Sequence, residues 1–270
     1  MTRESGPTPS CGVVYVATGP AHLELAIASA ESLERASPGL PADLFTDLPD
    51  HASGGPFARI HRIARPHRRS KLDCMAQTRF ERTLFLDSDT LVLGDVADGF
   101  GLLERFEMAL AHDVRRASDL IRTGWRVQTP YAFPQHNSGV IYFRRSATML
   151  DFLHRWATAF AESGLRRDQP VLRDMLWQSD IRYYVLPEEF NLRRVTHLDS
   201  WEPEDMRPMV LHSHVLQRHL HGSGPRITEP AELLAHERAA LMRSWQNWSR
   251  ANPGLPHPFA AAGKRRDDEP

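Results

Sequence analysis

The segment Thr83-Leu-Phe-Leu-Asp87-Ser88-Asp89-Thr90 joins a short apolar run to two carboxylates that are two residues apart. A short apolar run that ends in a charged turn is typical of a buried strand in a parallel sheet. In an open α/β sheet, ligands bind beyond the carboxyl ends of the strands. The segment therefore predicts both the class of the fold and the edge of the sheet at which a site lies.

The spacing of Asp87 and Asp89 predicts a cation site. Side chains two residues apart on an extended chain point the same way, so these two carboxylates repel each other. A divalent cation removes the repulsion, and carboxylate oxygens suit magnesium or manganese. Such a cation would neutralise a substrate diphosphate. The ordinary alternative is a pair of solvated turn aspartates, but this is the only Asp-x-Asp in the chain, and it follows an apolar strand.

The pattern of the remaining chain predicts an α/β fold with a mostly parallel central sheet and helices on both faces. Residues 12–18 and 42–47 read as strands on either side of a helix over 22–36, which is a βαβ opening. Further strands are predicted over 57–63, 107–112, 138–143, 182–186 and 209–212, and helices over 72–80, 147–161, 168–177 and 230–248. We expect a single catalytic domain over 11–250, with disordered tails at 1–10 and 252–270.

Composition excludes several classes of protein. The 33 basic and 34 acidic side chains of the 270 residues give a formal net charge of -1, which does not fit a nucleic-acid binder. Cys11 and Cys74 offer no zinc spacing. The polar N-terminal residues lack the apolar region of a signal peptide, and no apolar run is long enough to span a membrane. We therefore expect a cytoplasmic enzyme. No Gly-x-Gly-x-x-Gly is present, so a nicotinamide cofactor is not expected.

The residues around the two aspartates resemble a known family. Ser70-Lys-Leu-Asp-Cys-Met-Ala-Gln-Thr-Arg-Phe-Glu-Arg-Thr-Leu-Phe-Leu-Asp-Ser-Asp-Thr-Leu-Val-Leu is similar to the core of GT-A glycosyltransferases, in particular the glycogenin-like and bacterial lipopolysaccharide galactosyltransferase group. The resemblance covers roughly residues 12–214. It implies a Rossmann-like GT-A fold, in which Lys71 reaches the nucleotide-sugar and Asp87, Ser88 and Asp89 bind the metal and diphosphate.

Two downstream segments extend the resemblance to the sugar pocket. Asn137-Ser-Gly-Val-Ile-Tyr-Phe143 is similar to the Asn-Ala-Gly strand of the group, whose start lines the donor-sugar pocket. Asp168-Gln169 resembles an Asp-Gln pair near the reaction centre, although Asp168 before Pro170 would also suit a helix cap. Glu189-Phe-Asn191 resembles a short aromatic-Asn element. The resemblance implies that Asn137, Asp168 and Gln169 orient the sugar.

The segment Met209-Val-Leu-His212-Ser-His214 supplies the third metal ligand that the resemblance implies. His212 directly follows the apolar residues and is the first choice, and His214 is the second. The Gly and Lys-Pro-Trp that follow this histidine in the family are absent here, which leaves the diphosphate contacts beyond it open. At the other end of the chain, Thr18 and Asp47 end the first two strands and correspond in position to residues that hold the nucleoside.

The resemblance implies a metal-dependent transfer of a sugar from a nucleotide-diphosphate sugar, with UDP-hexose as the expected donor, to an acceptor hydroxyl with retention. Manganese or magnesium is the expected cofactor, and residues 114–134 together with the C-terminal helix are expected to form the acceptor site. Three alternatives stay open. They are a nucleotidyltransferase of related fold, a non-catalytic nucleotide-sugar binding protein, and a haloacid-dehalogenase-type phosphatase, whose own Asp-x-Asp pattern differs from Asp-Ser-Asp-Thr-Leu at the position after Thr90.

Overall fold

In a computed structural model of the chain, residues 10–116 and 118–254 are described, and they alternate between strands and helices. The strands are β1 Cys11–Ala17, β2 Ala42–Thr46, β3 Arg59–Arg62, β4 Arg82–Leu86, β5 Thr90–Val92, β6 Met108–His112, β7 His136–Arg144, β8 Tyr183–Val185 and β9 Val210–His212. The α-helices are α1 Gly19–Ala36, α2 Lys71–Met75, α3 Asp119–Arg122, α4 Ala147–Ser163, α5 Gln169–Gln178 and α6 Pro230–Ala251. Within the same ranges, 3-10 helices cover Pro49–Ala52, Val96–Glu104, Glu188–Asn191, Val195–Ser200 and His214–His221.

Seven of these strands form one sheet in the order β3-β2-β1-β4-β7-β6-β8. The pairs β3·β2, β2·β1, β1·β4 and β6·β8 are parallel, whereas β7 pairs antiparallel with both β4 and β6. Within this sheet of described residues, only β7 therefore runs against the others, and the predicted mostly parallel α/β sheet is confirmed. Because β7 is reversed, its first residues lie at the same edge as the carboxyl ends of β1, β4 and β6.

The sheet is covered on both faces by helices, as the apolar pattern requires. Along β1, Val13 and Tyr15 belong to a core cluster that includes residues of α1, whereas Val14 packs in a second cluster with residues of α2, α4 and α5. Neighbouring side chains of a strand point to opposite faces. This alternation explains why β1 is apolar throughout and has no polar face.

A small second sheet contains His212, one of the predicted metal ligands. Strands β5 and β9 pair antiparallel, and Thr90 is opposite His212. β5 begins directly after the Asp87-Ser88-Asp89 turn, so the pairing brings a late segment of the chain to the carboxyl end of β4. The apolar residues Leu91, Val92, Val210 and Leu211 are buried.

The helix predicted over 72–80 was wrong in its length, because α2 ends at Met75. Thr78 explains the early end. Its hydroxyl lies 2.8 Å from the hydroxyl of Thr83 and accepts a hydrogen bond of 3.2 Å from the Phe80 amide. A threonine side chain that bonds nearby backbone competes with the helix for the same groups. Phe80 then packs over Gly12, where an added Cβ would lie 2.4 Å from its ring.

The chain divides into two compact units at the boundary between Ile227 and Thr228. The first contains both sheets, and the second contains α6. The expectation of one domain over 11–250 stays a prediction. The predicted disordered tails lie largely outside the described residues, which begin at Ser10 and end at Gly254. Within the described part of the chain, no helix has the length and apolar character needed to cross a bilayer.

Candidate functional site

The candidate site lies where the carboxyl ends of the parallel strands meet the start of β7. Asp87 follows β4, Asp113 follows β6 and Thr18 follows β1, while Asn137 is the second residue of β7. The topology therefore collects polar side chains from four strands at one edge of the sheet, which is the edge where open α/β sheets bind ligands. Sequence reasoning missed Asp113, although its position after an apolar strand is the same signal that singles out Asp87.

The turn that carries Asp87 and Asp89 is fixed from the core. The hydroxyl of Thr90 donates to the carbonyl oxygen of Asp87 at 2.8 Å and lies 2.6 Å from the hydroxyl of Ser29 on α1. Ser29 is in turn 3.1 Å from the hydroxyl of Tyr15 on β1. Since all three hydroxyls are buried, this chain of hydrogen bonds holds the turn against the sheet and the first helix.

Three potential metal ligands converge at this turn. One ligand atom each of Asp87, Asp89 and His212 lies within 4.8 Å of the others. Two carboxylate oxygens and one imidazole nitrogen form a donor set that suits manganese. His214, the second choice from the sequence, is exposed and is not part of this group.

Gly139 makes room for the three ligands. A Cβ at this position would lie 2.6 Å from Oδ2 of Asp87 and 2.1 Å from Cε1 of His212. Only a residue without a side chain allows the carboxylate and the imidazole to approach so closely. The residues present therefore fit a divalent cation in both chemistry and space.

Asn191 sets the orientation of the His212 ring. Its side-chain oxygen is 2.9 Å from Nδ1 of His212, and its amide nitrogen donates to Oδ1 of Asn137 at 3.0 Å. Because an amide oxygen can only accept, Nδ1 carries the proton, which leaves Nε2, 3.4 Å from Asp89 Oδ1, as the nitrogen that can bind a metal. Nε2 also lies 3.0 Å from the NH1 nitrogen of Arg193, which donates to it. A cation bound at Nε2 would take the place of this guanidinium.

Replacing Asn191 by alanine is expected to weaken manganese binding by about 10- to 100-fold, the usual effect of removing a partner that orients a metal ligand. The His212 ring would lose the acceptor that fixes its tautomer. Manganese affinity would be measured by titration followed by electron paramagnetic resonance, with Asn247→Ala on α6 as an exposed control. An unchanged affinity in a folded Asn191→Ala protein would contradict this role.

Lys71 lies between the two acidic parts of the site. Its ammonium is 3.1 and 3.3 Å from the carboxylate oxygens of Asp87 and donates to the Ser138 carbonyl at 2.8 Å. It is also 3.9 Å from Oδ2 of Asp168. As the first residue of α2, Lys71 is held by backbone that packs on the core. The site thus contains a buried positive charge beside the candidate metal ligands.

Asp168 is a buried carboxylate that is held by several partners. Its Oδ2 accepts from the Ser138 hydroxyl at 2.6 Å, and its Oδ1 is 3.1 Å from Nε of Arg69. Burial by itself would raise the pKa of Asp168, but Lys71, Arg69 and the Ser138 hydroxyl outweigh it and lower the pKa below the ordinary 3.8. Asp168 is therefore ionised at neutral pH and balances the two cations.

The Asp168→Asn variant is expected to lose about 3 kcal/mol of unfolding free energy at pH 7, because two cations lose their buried counter-charge. The lowered pKa stabilises the fold above about pH 3.8, and this contribution disappears as the pH falls through the pKa of the folded state. The difference between wild type and variant should therefore shrink below that pH. Urea unfolding at several pH values would measure it, with the exposed pair member Asp151→Asn as control. A difference that is independent of pH would contradict the assignment.

Gln169 binds other protein groups and not open solvent. Its amide nitrogen donates to Asp113 Oδ2 at 2.6 Å and to the His136 carbonyl at 2.9 Å, and its oxygen accepts from Arg167 at 2.6 Å. Asp113 also lies 3.2 Å from the Arg167 guanidinium. Gln169 therefore links α5 to the ends of β6 and β7, and its role towards the sugar stays a prediction.

Beside the candidate metal ligands lies a cleft of about 410 Å³. It is lined by Val16, Thr18, His22, His67, Arg68, Arg69, Ser70, Lys71, Asp87, Ser88, Asp89 and Gln217. Gln217 donates to Oδ2 of Asp89 at 2.8 Å, a contact that no sequence pattern signals. Asp47 is not among the lining residues, and its carboxylate accepts a 2.9 Å hydrogen bond from the Gly19 amide at the start of α1.

Asp89 is charged throughout the range in which proteins work. Burial would raise its pKa, but the contacts with His212 and Gln217 and the charge of Arg193 lower it well below the usual range. Besides Lys71, the cleft wall contains two arginines and two histidines, and these are Arg68, Arg69, His22 and His67. The cleft thus combines a carboxylate pair with basic groups, an arrangement that suits a cation together with a phosphate-bearing ligand.

Residues 80–219 match the model of a family described as nucleotide-diphospho-sugar transferase. No curated protein matches the chain significantly by sequence. Among solved structures, the apo form of the glycosyltransferase GlyE of Streptococcus pneumoniae TIGR4 is similar with a TM-score of 0.53 and 17% identity, over 76% of this chain and 54% of that chain. The chain thus spans about half the length of GlyE.

A second similar structure is the galactosyltransferase LgtC in complex with donor and acceptor sugar analogues. It has a TM-score of 0.52 and 14% identity, and the match covers 75% of this chain and 87% of that chain. Mouse xyloside xylosyltransferase 1 is similar with a TM-score of 0.50 and 12% identity, over 75% of this chain and 97% of that chain. At such identities the likeness establishes a shared GT-A fold.

Proposed function

Since the chain belongs to the nucleotide-diphospho-sugar transferase family, we propose that it transfers a hexose from UDP-hexose to an acceptor hydroxyl, with retention at the anomeric carbon. In this proposal Asp87, Asp89 and His212 hold a manganese ion. Lys71 and Ser88 contact the diphosphate, and Thr18 and Asp47 contact the nucleoside. Asn137 and Gln169 orient the sugar, and Asp168 positions Lys71 and Arg69.

One observation carries the metal-dependent part of the proposal. Three potential ligand atoms from Asp87, Asp89 and His212 lie within 4.8 Å of one another, and the two aspartates line a cleft of about 410 Å³. The ion, when bound, would supply positive charge to the diphosphate. Two of the residues that would bind the ion, Asp87 and Asp89, line the same cleft as Lys71 and Arg69. A substrate that contacts both the ion and the basic side chains therefore fits there.

The chain's own residues support departure of the diphosphate. When the bond between the anomeric carbon and the diphosphate oxygen breaks, negative charge grows on that oxygen, and fixed positive groups stabilise it. Lys71 is preorganised for this task, because Asp87 and the Ser138 carbonyl hold its ammonium. The acceptor oxygen forms the new bond to the anomeric carbon and gives its proton to the departing diphosphate oxygen, so the products are a glycoside and a nucleoside diphosphate.

Asn137 is held in one orientation at the start of β7. Its side-chain oxygen accepts hydrogen bonds of 3.0 Å from the Gly139 amide and from the Asn191 amide group. With the oxygen so occupied, the amide nitrogen is the group that would bind a sugar hydroxyl. The orientation supports a role in holding the sugar, while Asp168 would act through Lys71 and Arg69.

Calorimetric titration of UDP into the purified protein, with manganese and then with a chelator, tests the proposal. Binding that requires manganese is expected, and adding UDP-hexoses should then release UDP slowly through hydrolysis. If UDP does not bind in the presence of manganese, guanosine and thymidine diphosphates are tested next. If none of the three nucleotides binds, the proposal is refuted. Release of a nucleoside monophosphate with the sugar phosphate, and not UDP, would favour the nucleotidyltransferase alternative.

A further inference from the structure

A second cavity, of about 520 Å³, lies in the segment between β6 and β7. The arginines in its lining are Arg116, Arg122, Arg126 and Arg173, and none of the lining residues is acidic. Arg126 lies 3.7 Å from Glu162 on α4, an exposed pair, and stacks over the Trp125 ring at 3.9 Å. Arg173 has the buried carboxylate of Asp174 as a counter-charge. The excess of positive charge therefore comes from Arg116 and Arg122, and charge of one sign in a concave surface attracts ligands of the opposite sign.

The lining contains polar groups that the protein itself leaves without partners. Gln135 is 0% exposed, and neither its amide nitrogen nor its amide oxygen has a hydrogen-bond partner. Nε of the buried Arg173 is also unpaired. Leaving a buried polar group unsatisfied costs about 1–3 kcal/mol, so native proteins rarely do so without a reason. A polar ligand in the cavity would satisfy Gln135, which offers both a donor and an acceptor.

The cavity wall is built on α5 and does not depend on exposed side chains alone. Arg173 donates to the carbonyl oxygens of Ile121 and Arg122 at 3.3 Å. Its neighbour Asp174 accepts from the backbone amides of residues 125, 126 and 127 at 3.2, 2.5 and 2.9 Å. These bonds fix the backbone around the cavity, so its shape exists before any ligand binds.

Two residues of the cavity lining are close along the chain to residues proposed to orient the donor sugar. Gln135 comes two residues before Asn137, which at the rise of a strand is a separation of about 7 Å. The carbonyl oxygen of Gln135 accepts from the Asp113 amide at 2.9 Å. Arg173 lies one helical turn beyond Gln169 on α5. A molecule held in the cavity is therefore close to Asn137 and Gln169, the residues proposed to orient the sugar.

We propose that this cavity binds the acceptor substrate, and that the acceptor carries an anionic group, a phosphate or a carboxylate, next to its hydroxyls. Arg116 and Arg122 neutralise the anion, while Gln135 binds a hydroxyl. That the bound molecule is the acceptor rests on the proposed function. The binding of a small anionic sugar to the cavity, however, can be measured without donor, metal or turnover.

The test is calorimetric titration of glucose 6-phosphate, glucuronate and glucose into the full chain carrying Asp89→Ala, in the presence of a chelator. The Asp89→Ala substitution removes the proposed metal site. The result of this titration therefore does not depend on whether UDP binds. We expect glucose 6-phosphate or glucuronate to bind at least about ten times more tightly than glucose, and the tighter of the two identifies the anion. Equal affinity for all three sugars, or no binding of either anionic sugar, would overturn the proposal.

Variants of the lining locate the binding. Arg116→Gln together with Arg122→Gln removes two exposed charges and should weaken binding of the anionic sugar at least about ten-fold. Gln135→Leu keeps the size of the side chain and should weaken it several-fold. Arg250→Gln on α6 is the matched control and should change nothing. Unchanged affinity in both the double variant and Gln135→Leu would place the anion elsewhere and refute the assignment.

Discussion

Asp89→Ala is expected to abolish the manganese-dependent binding of UDP. Oδ1 of Asp89 is 3.4 Å from Nε2 of His212, and Oδ2 accepts a 2.8 Å hydrogen bond from Gln217. The hydrogen bond from Gln217 therefore holds the carboxylate in place, and the lowered pKa keeps the group charged. Removing it takes away one of the three proposed ligands and half of the negative charge that the two aspartates contribute. The loss should exceed about 100-fold, because even partners that only orient a ligand cost 10- to 100-fold.

Calorimetry in manganese measures this loss, and Asp180→Ala, an exposed aspartate near the end of α5, is the matched control. In a chelator the Asp89 variant should also be less stable than wild type, because a buried carboxylate with a lowered pKa is lost and the charge of Arg193 loses its counter-charge. The two titrations are therefore compared at a temperature at which both proteins are folded. Manganese-dependent UDP binding that survives in Asp89→Ala would show that the cation is held by other residues.

Gly139→Ala is expected to destroy the same site although it replaces none of the three proposed ligands. The added Cβ would lie 2.1 Å from Cε1 of His212 and 2.6 Å from Oδ2 of Asp87. The backbone cannot withdraw, because the Gly139 carbonyl accepts from the Asp87 amide at 2.7 Å and β7 is paired on both sides. The ring and the carboxylate must therefore move apart. We expect manganese affinity to fall more than about 100-fold and the free energy of unfolding to fall by about 1–3 kcal/mol, the usual cost of overpacking.

Gly101→Ala is the matched control, because nothing lies within 4 Å of a Cβ built there. Paramagnetic resonance of bound manganese and thermal unfolding give the two readouts. If Gly139→Ala bound manganese as wild type does, the three residues would not form a site in the arrangement described.

The sequence predicts the sheet well, because its strands are short apolar runs that end in polar turns. The edge at which the site lies follows from the same pattern, so the sequence alone is enough to single out Asp87 and Asp89. The pairing of β5 with β9 is not predictable in this way, since it joins distant segments of three residues each. The resemblance to the GT-A family suggests His212, and the fold brings it beside the aspartates, while its role as a ligand stays a proposal.

The residues that hold the site in shape are mostly beyond sequence reasoning. Asn191 belongs to a weak family element, and its contacts with His212 and Asn137 depend on the folded chain. Arg193 and Gln217 carry no pattern at all, because a single polar residue outside the strands is typical of any surface. The overlong prediction for α2 has a local cause, the side chain of Thr78, which periodicity does not register.

The pairing of β5 with β9 has a consequence for how the chain opens. Asp89 and His212 close a loop that contains three of the seven strands of the large sheet. The short β5·β9 pair and a few hydrogen bonds beside it, such as the one from Gln217 to Asp89, join its two ends. Closing a long loop costs conformational entropy, so a cation bound by both ends would act as a reversible crosslink between distant parts of the chain. Amide hydrogen exchange in β9 should then slow markedly when manganese is added, and the metal would determine how often the late part of the fold detaches as well as how the donor binds.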